Sequence, residues 1–326
     1  KKMRVIEIKE YEANQRLDKF LLKYFNKSPK SFVYKMIRTK KIKYNGKRAK
    51  GNERIVCGDT VQIYLSDETI NKFRELEEVS FIKQTFEIVY EDSNILIVNK
   101  PLGLLTQQDA KGQNTLTEQV ISYLYAKGEY NPNIHQGFRP APCNRLDRNT
   151  AGIVIFGKNL MATQAVNEMF RNKEISKYYM SIVFGRLERP MILKGYHKKD
   201  SNKNEVEILE EYSVGTKEVE TRILPLQTNG RYTLVEVQLV TGRTHQIRAH
   251  LATANHPIIG DPKYGDKEEN EYFLRKYRLR HQFLCAYKIK FELCLPPLKY
   301  LENRVFTVSA PLLYFQIFRE EGFINI

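Results

Sequence analysis

The chain has 326 residues, a length that admits about two domains, and 42% hydrophobic with 28% charged residues describe a folded core rather than a disordered polymer. No apolar run approaches the roughly 20 residues of a membrane helix, and the opening KKMRVIEIKE lacks the apolar centre of a signal peptide. A membrane is therefore not an expected partner and the cytoplasm is the expected location; the net charge of +15, with 18 Lys and Arg against 6 Asp and Glu inside residues 1–66, points instead to a polyanion, nucleic acid first.

The basic segment begins with a helical pattern, apolar residues recurring at 17, 20, 21, 24 and 25 between Arg16 and Phe25. A second helix is expected from Ser28-Pro29, serine as cap and proline in the first turn, to about Arg38. On it Ser31, Lys35 and Arg38 share one face, while Phe32, Met36 and Ile37 turn another way. Asn45-Gly46 suits a type I′ turn between Ile42–Tyr44 and Lys47-Arg48, and Gly58-Asp59 leads into an alternating strand, Val61 to Leu65. With its R-L-D start, basic second helix, N-G turn and late G-D, the stretch 14–66 resembles the α-L RNA-binding module. The module usually has a serine-arginine pair where Lys30-Ser31 stands here. The resemblance implies RNA contacts from Arg16, Lys30, Ser31, Lys35, Arg38 and Lys40.

Between 67 and 80 the sign reverses to five acids against two bases, which reads as a linker, in part helical. From Phe81 onward strands are expected at 86–90, 95–99, 153–156, 177–184, 231–240, 287–293 and 304–308, with one helix over 160–172. Strands outnumber helices without βαβ alternation, so the expected class is α+β: a mixed, mainly antiparallel central sheet with flanking helices, preceded by the small basic domain. The expected division is 1–66, a linker 67–80, and a catalytic domain 81–326. Cys57, Cys143, Cys285 and Cys294 form no CxxC pair and read as buried free thiols.

In NRLDRNTAGIVIFGKN, residues 144–159, charge stands at the mouth of a buried strand. If Arg145 to Arg148 is extended, Arg145 and Asp147 share a face and Leu146 anchors the other, which suits a positioned carboxylate; Asp147 with Thr150 as an Asx-turn is the alternative. In TGRTHQIRAHLA, residues 241–252, helical spacing from Thr244 puts Ile247 and Leu251 inward and Arg248 at the rim, where its guanidinium needs a carboxylate or phosphate. His245, His250 and His256 do not converge on a metal, since positions five apart lie roughly 140° around a helix. His256-Pro257 is expected in the ordered loop with PIIGDPKYGD. On the strand SKYYMSIVFG, Lys177, Tyr179, Ser181 and Val183 share a face, where a tyrosine either packs or stacks on an unstacked base.

Arg145–Gly152, Lys177–Tyr179 and Gly242–Arg248, with the turn Asn99-Lys100-Pro101-Leu102-Gly103, resemble in order the motifs of the RluA family of pseudouridine synthases. Asn144 and Ala151 depart from the histidine and serine common there. The resemblance implies an isomerase of the pseudouridine synthase fold, needing no cofactor and no metal, acting on structured RNA. Ribosomal RNA of the large subunit is its expected substrate, transfer RNA an alternative, and a monomer its expected state. By the same resemblance Asp147 is the nucleophile, Arg248 its partner, and Tyr179 stacks on the base and assists proton removal. Arg145 enters the RNA helix where the uridine has left, and Lys177 and Arg243 bind substrate. A non-catalytic RNA-binding or ribosome-assembly factor on the same fold is the alternative function.

Overall fold

The structure is a computed structural model that describes residues 3–76, 78–107, 114–135, 138–200 and 203–324. It opens with β1 (Arg4–Glu7), α1 (Leu17–Tyr24), α2 (Lys30–Arg38), β2 (Ile42–Tyr44), β3 (Lys47–Arg48) and β4 (Thr60–Ile63). The four strands form an antiparallel sheet in the order β1-β4-β2-β3. The apolar stripes of both helices, with Leu17, Phe20, Leu21, Val33 and Ile37, close on Ile42, Val61 and Ile63 as one core. Helix α3 (Asp67–Phe73), capped by Ser66, inserts Ile70 into the same core. Positive φ at Asn45 and Gly46 makes the β2–β3 turn tight, as the pair predicts.

Two expectations for this region are corrected. The residue flanking α2 is Pro29, without a side-chain cap, and the Ser28 hydroxyl is buried with no hydrogen-bond partner among the described residues. Cys57 is exposed rather than buried, because it sits in the turn before β4; Cys285 and Cys294 are buried, and no cysteine is paired.

The rest is built on one ten-stranded sheet. In chain order come β5 (Glu87–Glu91), β6 (Ile95–Lys100), α4 (Leu116–Ala126), β7 (Ala151–Gly157), α5 (Leu160–Arg171), β8 (Ile175–Phe184), β9 (Met191–Asp200), β10 (Glu205–Leu209), β11 (Lys217–Thr228) and β12 (Tyr232–Leu239). Then follow α6 (Gln246–Thr253), α7 (Lys267–Tyr277), β13 (Leu284–Phe291), β14 (Val305–Thr307) and α8 (Leu312–Glu320). The strand order is β10-β9-β11-β12-β8-β13-β7-β6-β5, with β14 beside β13. Every pairing is antiparallel except β13 with β7, so the sheet is mixed and mainly antiparallel, in an α+β protein. Strands β9, β10 and β11 and helices α4, α7 and α8 are additions to the elements expected from the sequence.

The parallel joint is short, Cys285 opposite Ala151 and Ala286 opposite Gly152, and it fixes how the two halves of the sheet meet. Gly152 makes it possible: its φ is +127°, and a Cβ there would lie 2.2 Å from the Ala286 carbonyl oxygen. Both β7 and β13 would have to part to admit a methyl group, a change of the kind that costs about 3 kcal/mol or more. Gly152→Ala should therefore lower the unfolding midpoint by about 6–12 °C in a thermal melt, and an unchanged midpoint would show that the joint yields freely. Helix α5 covers β6 and β7 through Ala162, Ala165, Val166 and Met169, packed on Ile95, Ile97, Ile153 and Ile155.

Candidate active site

The loop between Pro142 and β7 delivers the first candidate residues. It is not a strand, as extended pairing would require; its backbone is held piecewise by side chains and loops. The Asn144 amide donates to the Ile153 carbonyl (3.0 Å) and accepts from the Ile155 N–H (2.9 Å). Thr106 Oγ1 accepts from the Leu146 N–H at 3.2 Å and donates to its carbonyl at 2.8 Å. The Arg148 carbonyl accepts from the Gly103 N–H (2.9 Å) and Lys100 Nζ (3.1 Å). Leu146 is buried between exposed Arg145 and half-buried Asp147, as alternation requires, but exposed Arg148 breaks the pattern. The turn into β7 is closed by the Asp147 main-chain carbonyl, which accepts from the Thr150 N–H at 3.1 Å. The Asp147 carboxylate goes elsewhere.

Its partner comes from α6. Arg248 Nη1 donates to Asp147 Oδ2 at 3.1 Å. The rest of the guanidinium is clamped from behind, Nε to Asp261 Oδ2 at 2.6 Å and Nη2 to Asp261 Oδ1 at 2.8 Å. Side-chain exposure falls along this row, 31% at Asp147, 6% at Arg248 and 0% at Asp261, so only the Asp147 carboxylate is open to a visiting molecule. Burial lowers the Arg248 pKa, but the bonds and charges of Asp261 and Asp147 outweigh it and the net shift is upward. Asp261 in turn accepts from the N–H groups of Lys263 (2.9 Å) and Tyr264 (3.1 Å) through Oδ1. The bidentate fork fixes the guanidinium plane, and with it the direction in which Asp147 points.

Aromatic and imidazole groups finish this wall. The Tyr264 ring lies beneath the Arg248 guanidinium, 5.2 Å from its centre, and its hydroxyl is 3.0 Å from His245 Nδ1. His245 flanks α6 in the left-handed region, φ 51°, with Nε2 3.9 Å from Asp147 Oδ2. Burial first, then Arg248 and Lys263, lower the His245 pKa against the pull of Asp147 and Asp261. The His250 Nδ1 atom meets Thr221 Oγ1 (2.9 Å) and His256 Nδ1 the Phe184 carbonyl (3.1 Å), so the three histidines serve three different places. Among the described residues no three His, Cys, Asp or Glu are grouped to hold a metal ion.

Tyr179, on β8, is 5% exposed and lies opposite Val237 of β12. Burial first, then the Asp147 and Cys285 charges, push its hydroxyl well above the ordinary tyrosine range, so it stays protonated beside the carboxylate. Lys177, two residues earlier, is half-buried near Gly242, while Arg145 and Arg243 stand exposed, their side chains without a hydrogen bond or ion pair among the described residues. The structure thus brings Asp147, Arg248 and Tyr179 together and places Arg145 and Arg243 on the surface.

Two groups escaped the sequence reading. Asp261 carries the sign that Asp147 carries, an acid abutting an apolar run, here Ile258-Ile259-Gly260. Lys100, fully buried, donates to the carbonyls of Pro101 (3.1 Å), Leu104 (2.7 Å) and Arg148 (3.1 Å), three bonds that need an ammonium. Burial draws its pKa down to about 7, with Asp147 opposing.

On the basic module Lys30, Ser31, Lys35, Arg38 and Lys40 are all exposed, whereas Arg16 is tied to Asp18 through Nε (3.1 Å) and Nη2 (2.8 Å).

Comparison with known proteins matches residues 94–253 to the RNA pseudouridylate synthase family and residues 15–61 to the S4 domain. An uncharacterized RNA pseudouridine synthase of Mycoplasma capricolum is 34% identical over 300 residues, covering 90% of this chain and 93% of its own. The ribosomal large subunit pseudouridine synthase C of Vibrio vulnificus is 30% identical over 308 residues, 89% of each chain. Among solved structures, human RNA pseudouridylate synthase domain containing 4 superposes with a TM-score of 0.55 at 23% identity, covering 72% of this chain and 92% of that one, which shows the same fold. The match over nearly the full length of these relatives, with an RNA-binding S4 domain ahead of the synthase region, places the chain in the RluA family of RNA pseudouridine synthases, isomerases that act on RNA.

Proposed function

We propose that the chain converts uridine to pseudouridine in structured ribosomal RNA of the large subunit, with Asp147 as nucleophile. The observation that carries this reading is the graded row Asp147, Arg248, Asp261, in which the one accessible carboxylate is aimed by a guanidinium that a buried acid immobilises. The balance is internal: the bond from N1 to the ribose anomeric carbon breaks, the bond from C5 to that carbon forms, C5 loses a proton and N1 gains one. Asp147 holds one fragment while the uracil turns. Tyr179, a protonated hydroxyl on a rigid strand, offers a ring face to the base. Arg145, exposed beside Asp147, fills the gap left in the RNA helix by the flipped uridine, and Arg243 contacts the RNA from the facing loop. In this reading the chain acts as a monomer. The relatives named for the large ribosomal subunit support the substrate and a cytoplasmic site of action; transfer RNA is the alternative that mapping would reveal.

In this reading residues 1–66 form the RNA-binding module and 81–326 the catalytic domain, joined through 67–80, of which α3 packs back on the module. The exposed basic face of α2 makes phosphate contacts, while RNA shape and the flipped base select the site. No helix among the described residues is long and apolar enough to cross a membrane. Reversing two charges, Lys35→Glu with Arg38→Glu, should weaken binding to a ribosomal RNA transcript about tenfold or more and shallow the salt dependence by about two phosphate contacts. An unchanged slope would move the RNA contacts to another face. Mapping pseudouridines across the stable RNAs of cells with and without the gene tests the substrate itself.

A further inference from the structure

Three of the buried or nearly buried cations among the described residues are compensated, and half-buried Lys177 is not. Arg248 meets two carboxylates, and Lys100 meets three carbonyls. Lys158 meets Glu91, Glu129 and the Asp92 carbonyl. The Lys177 ammonium has no hydrogen-bond or ion-pair partner among the described residues; its Nζ rests 5.0 Å from the centre of the Phe170 ring of α5. It shares the strand face of Tyr179, on the side where the loop 241–245 follows β12. Gly242 lets the ammonium lie close to the loop: a Cβ on that residue would lie 3.1 Å from Lys177 Nζ. An ammonium drawn out of water without a counter-charge is unfavourable unless a ligand supplies one. A ring face offsets only a small part of that cost.

We infer that Lys177 and the Gly242–Arg243 turn form a seat for a backbone phosphate of the RNA, next to the uridine that enters the Asp147 site. This rests on the reading of the protein as an RNA pseudouridine synthase, and it gives Lys177 a ligand and a step: it holds the strand rather than the base. Phosphodiesters are the anions RNA carries in every sequence, so the seat contributes to affinity and placement and not to selection. Chemistry at the anomeric carbon does not pass through it.

The free-enzyme state of Lys177 supplies a signature. Burial alone draws its pKa down to about 8. The neighbours that face it are Phe170 from α5, Gly242 from the loop and, in register, Ile289 from β13, none of them titratable. On β13, Lys288 and Lys290 flank Ile289; Lys290 pairs with Glu292, Lys288 and Tyr287 bond Glu236, and Arg243 is the charged residue next to Gly242. A lowered lysine pKa means that above pH 8 the Lys177 amine of the empty site is neutral and must take up a proton to hold phosphate. Affinity for RNA therefore falls as pH rises through 8, while an arginine, charged throughout, removes that dependence.

The test is steady-state release of tritium from a large-subunit ribosomal RNA transcript labelled at uridine C5, between pH 7 and 9, for the full chain and for Lys177→Met and Lys177→Arg. At pH 7 the methionine variant is expected to raise KM about tenfold with kcat within about twofold, and to reduce the salt slope by about one contact. Wild-type KM should climb between pH 8 and 9 and that of the arginine variant should stay flat. A methionine variant with wild-type KM and salt slope, or one whose defect lies wholly in kcat, would overturn the phosphate seat while leaving the synthase reading intact. No tritium release by the wild-type chain from any RNA would overturn that reading and the seat with it.

Discussion

Asp147→Asn is expected to abolish pseudouridine formation, with a loss of more than about 10⁴-fold in single-turnover rate, while RNA affinity stays within about twofold of wild type. The amide keeps the size of the carboxylate and can still meet Arg248 Nη1, so the fold and the surroundings of Arg248 persist. What disappears is the anionic oxygen, the one group of the row that is open to substrate. Filter binding on the RNA and tritium release from C5 separate the two effects. A variant that retained activity would leave the chain an RNA-binding protein whose chemistry lies elsewhere or nowhere.

The second large effect is expected at Arg248, and it has a thermodynamic half. Arg248→Met leaves Asp261 wholly buried without its counter-charge, a situation that costs about 3–5 kcal/mol, and sets Asp147 free to wander. The unfolding midpoint should drop by about 10 °C and activity should fall by at least 10³-fold, about the scale of losing a positioned charge in a catalytic site. The double change Arg248→Met with Asp261→Asn separates the two consequences. Removing both buried charges should restore much of the midpoint, because the orphaned acid is gone, and none of the activity, because Asp147 still has no guanidinium to aim it. Recovery of activity in the double variant would show that Arg248 serves stability alone.

The parts of this site that the sequence made legible share a local sign, a charged or aromatic residue set against a strongly apolar run. Asp147 precedes Ile153–Phe156, Tyr179 stands in an alternating strand, and Arg248 neighbours Ile247 and Leu251. The same sign was present at Asp261, but its role depends on a partner thirteen residues away across a loop of prolines and glycines, a distance no periodicity bridges. Lys100 entered the sequence reading only as part of the turn 99–103; the folding of 101–104 and 148 over it is what reveals an enclosed ammonium.

The secondary structure follows the same division. Interior strands such as Ile95–Lys100 and Ala151–Gly157 are apolar on both faces and stand out from their surroundings. Strands β9, β10 and β11 lie at the outer end of the sheet, where Lys194, Lys198, Glu205, Glu207 and Arg222 face water and dilute the alternation. Helix α4 had a readable start, Thr115 accepting from the Glu118 N–H three residues on. Helix α7 had Asp266, which accepts from the N–H groups of Glu268 and Glu269. Those caps were stronger evidence than the mixed composition that follows them. The extended form expected for 145–148 failed for a related reason: the hydroxyl of Thr106, distant in sequence, takes the hydrogen bonds that a neighbouring strand would have taken.

The central claim is that one accessible carboxylate, oriented by Arg248, isomerises uridine without cutting the RNA. Its most direct test is a single-turnover reaction of the wild-type chain with C5-tritiated large-subunit ribosomal RNA in the presence of EDTA. The account predicts tritium release equal, mole for mole, to the pseudouridine formed, with the RNA strand intact and both signals absent in Asp147→Asn. Cleavage products, or equal release by that variant, would contradict it.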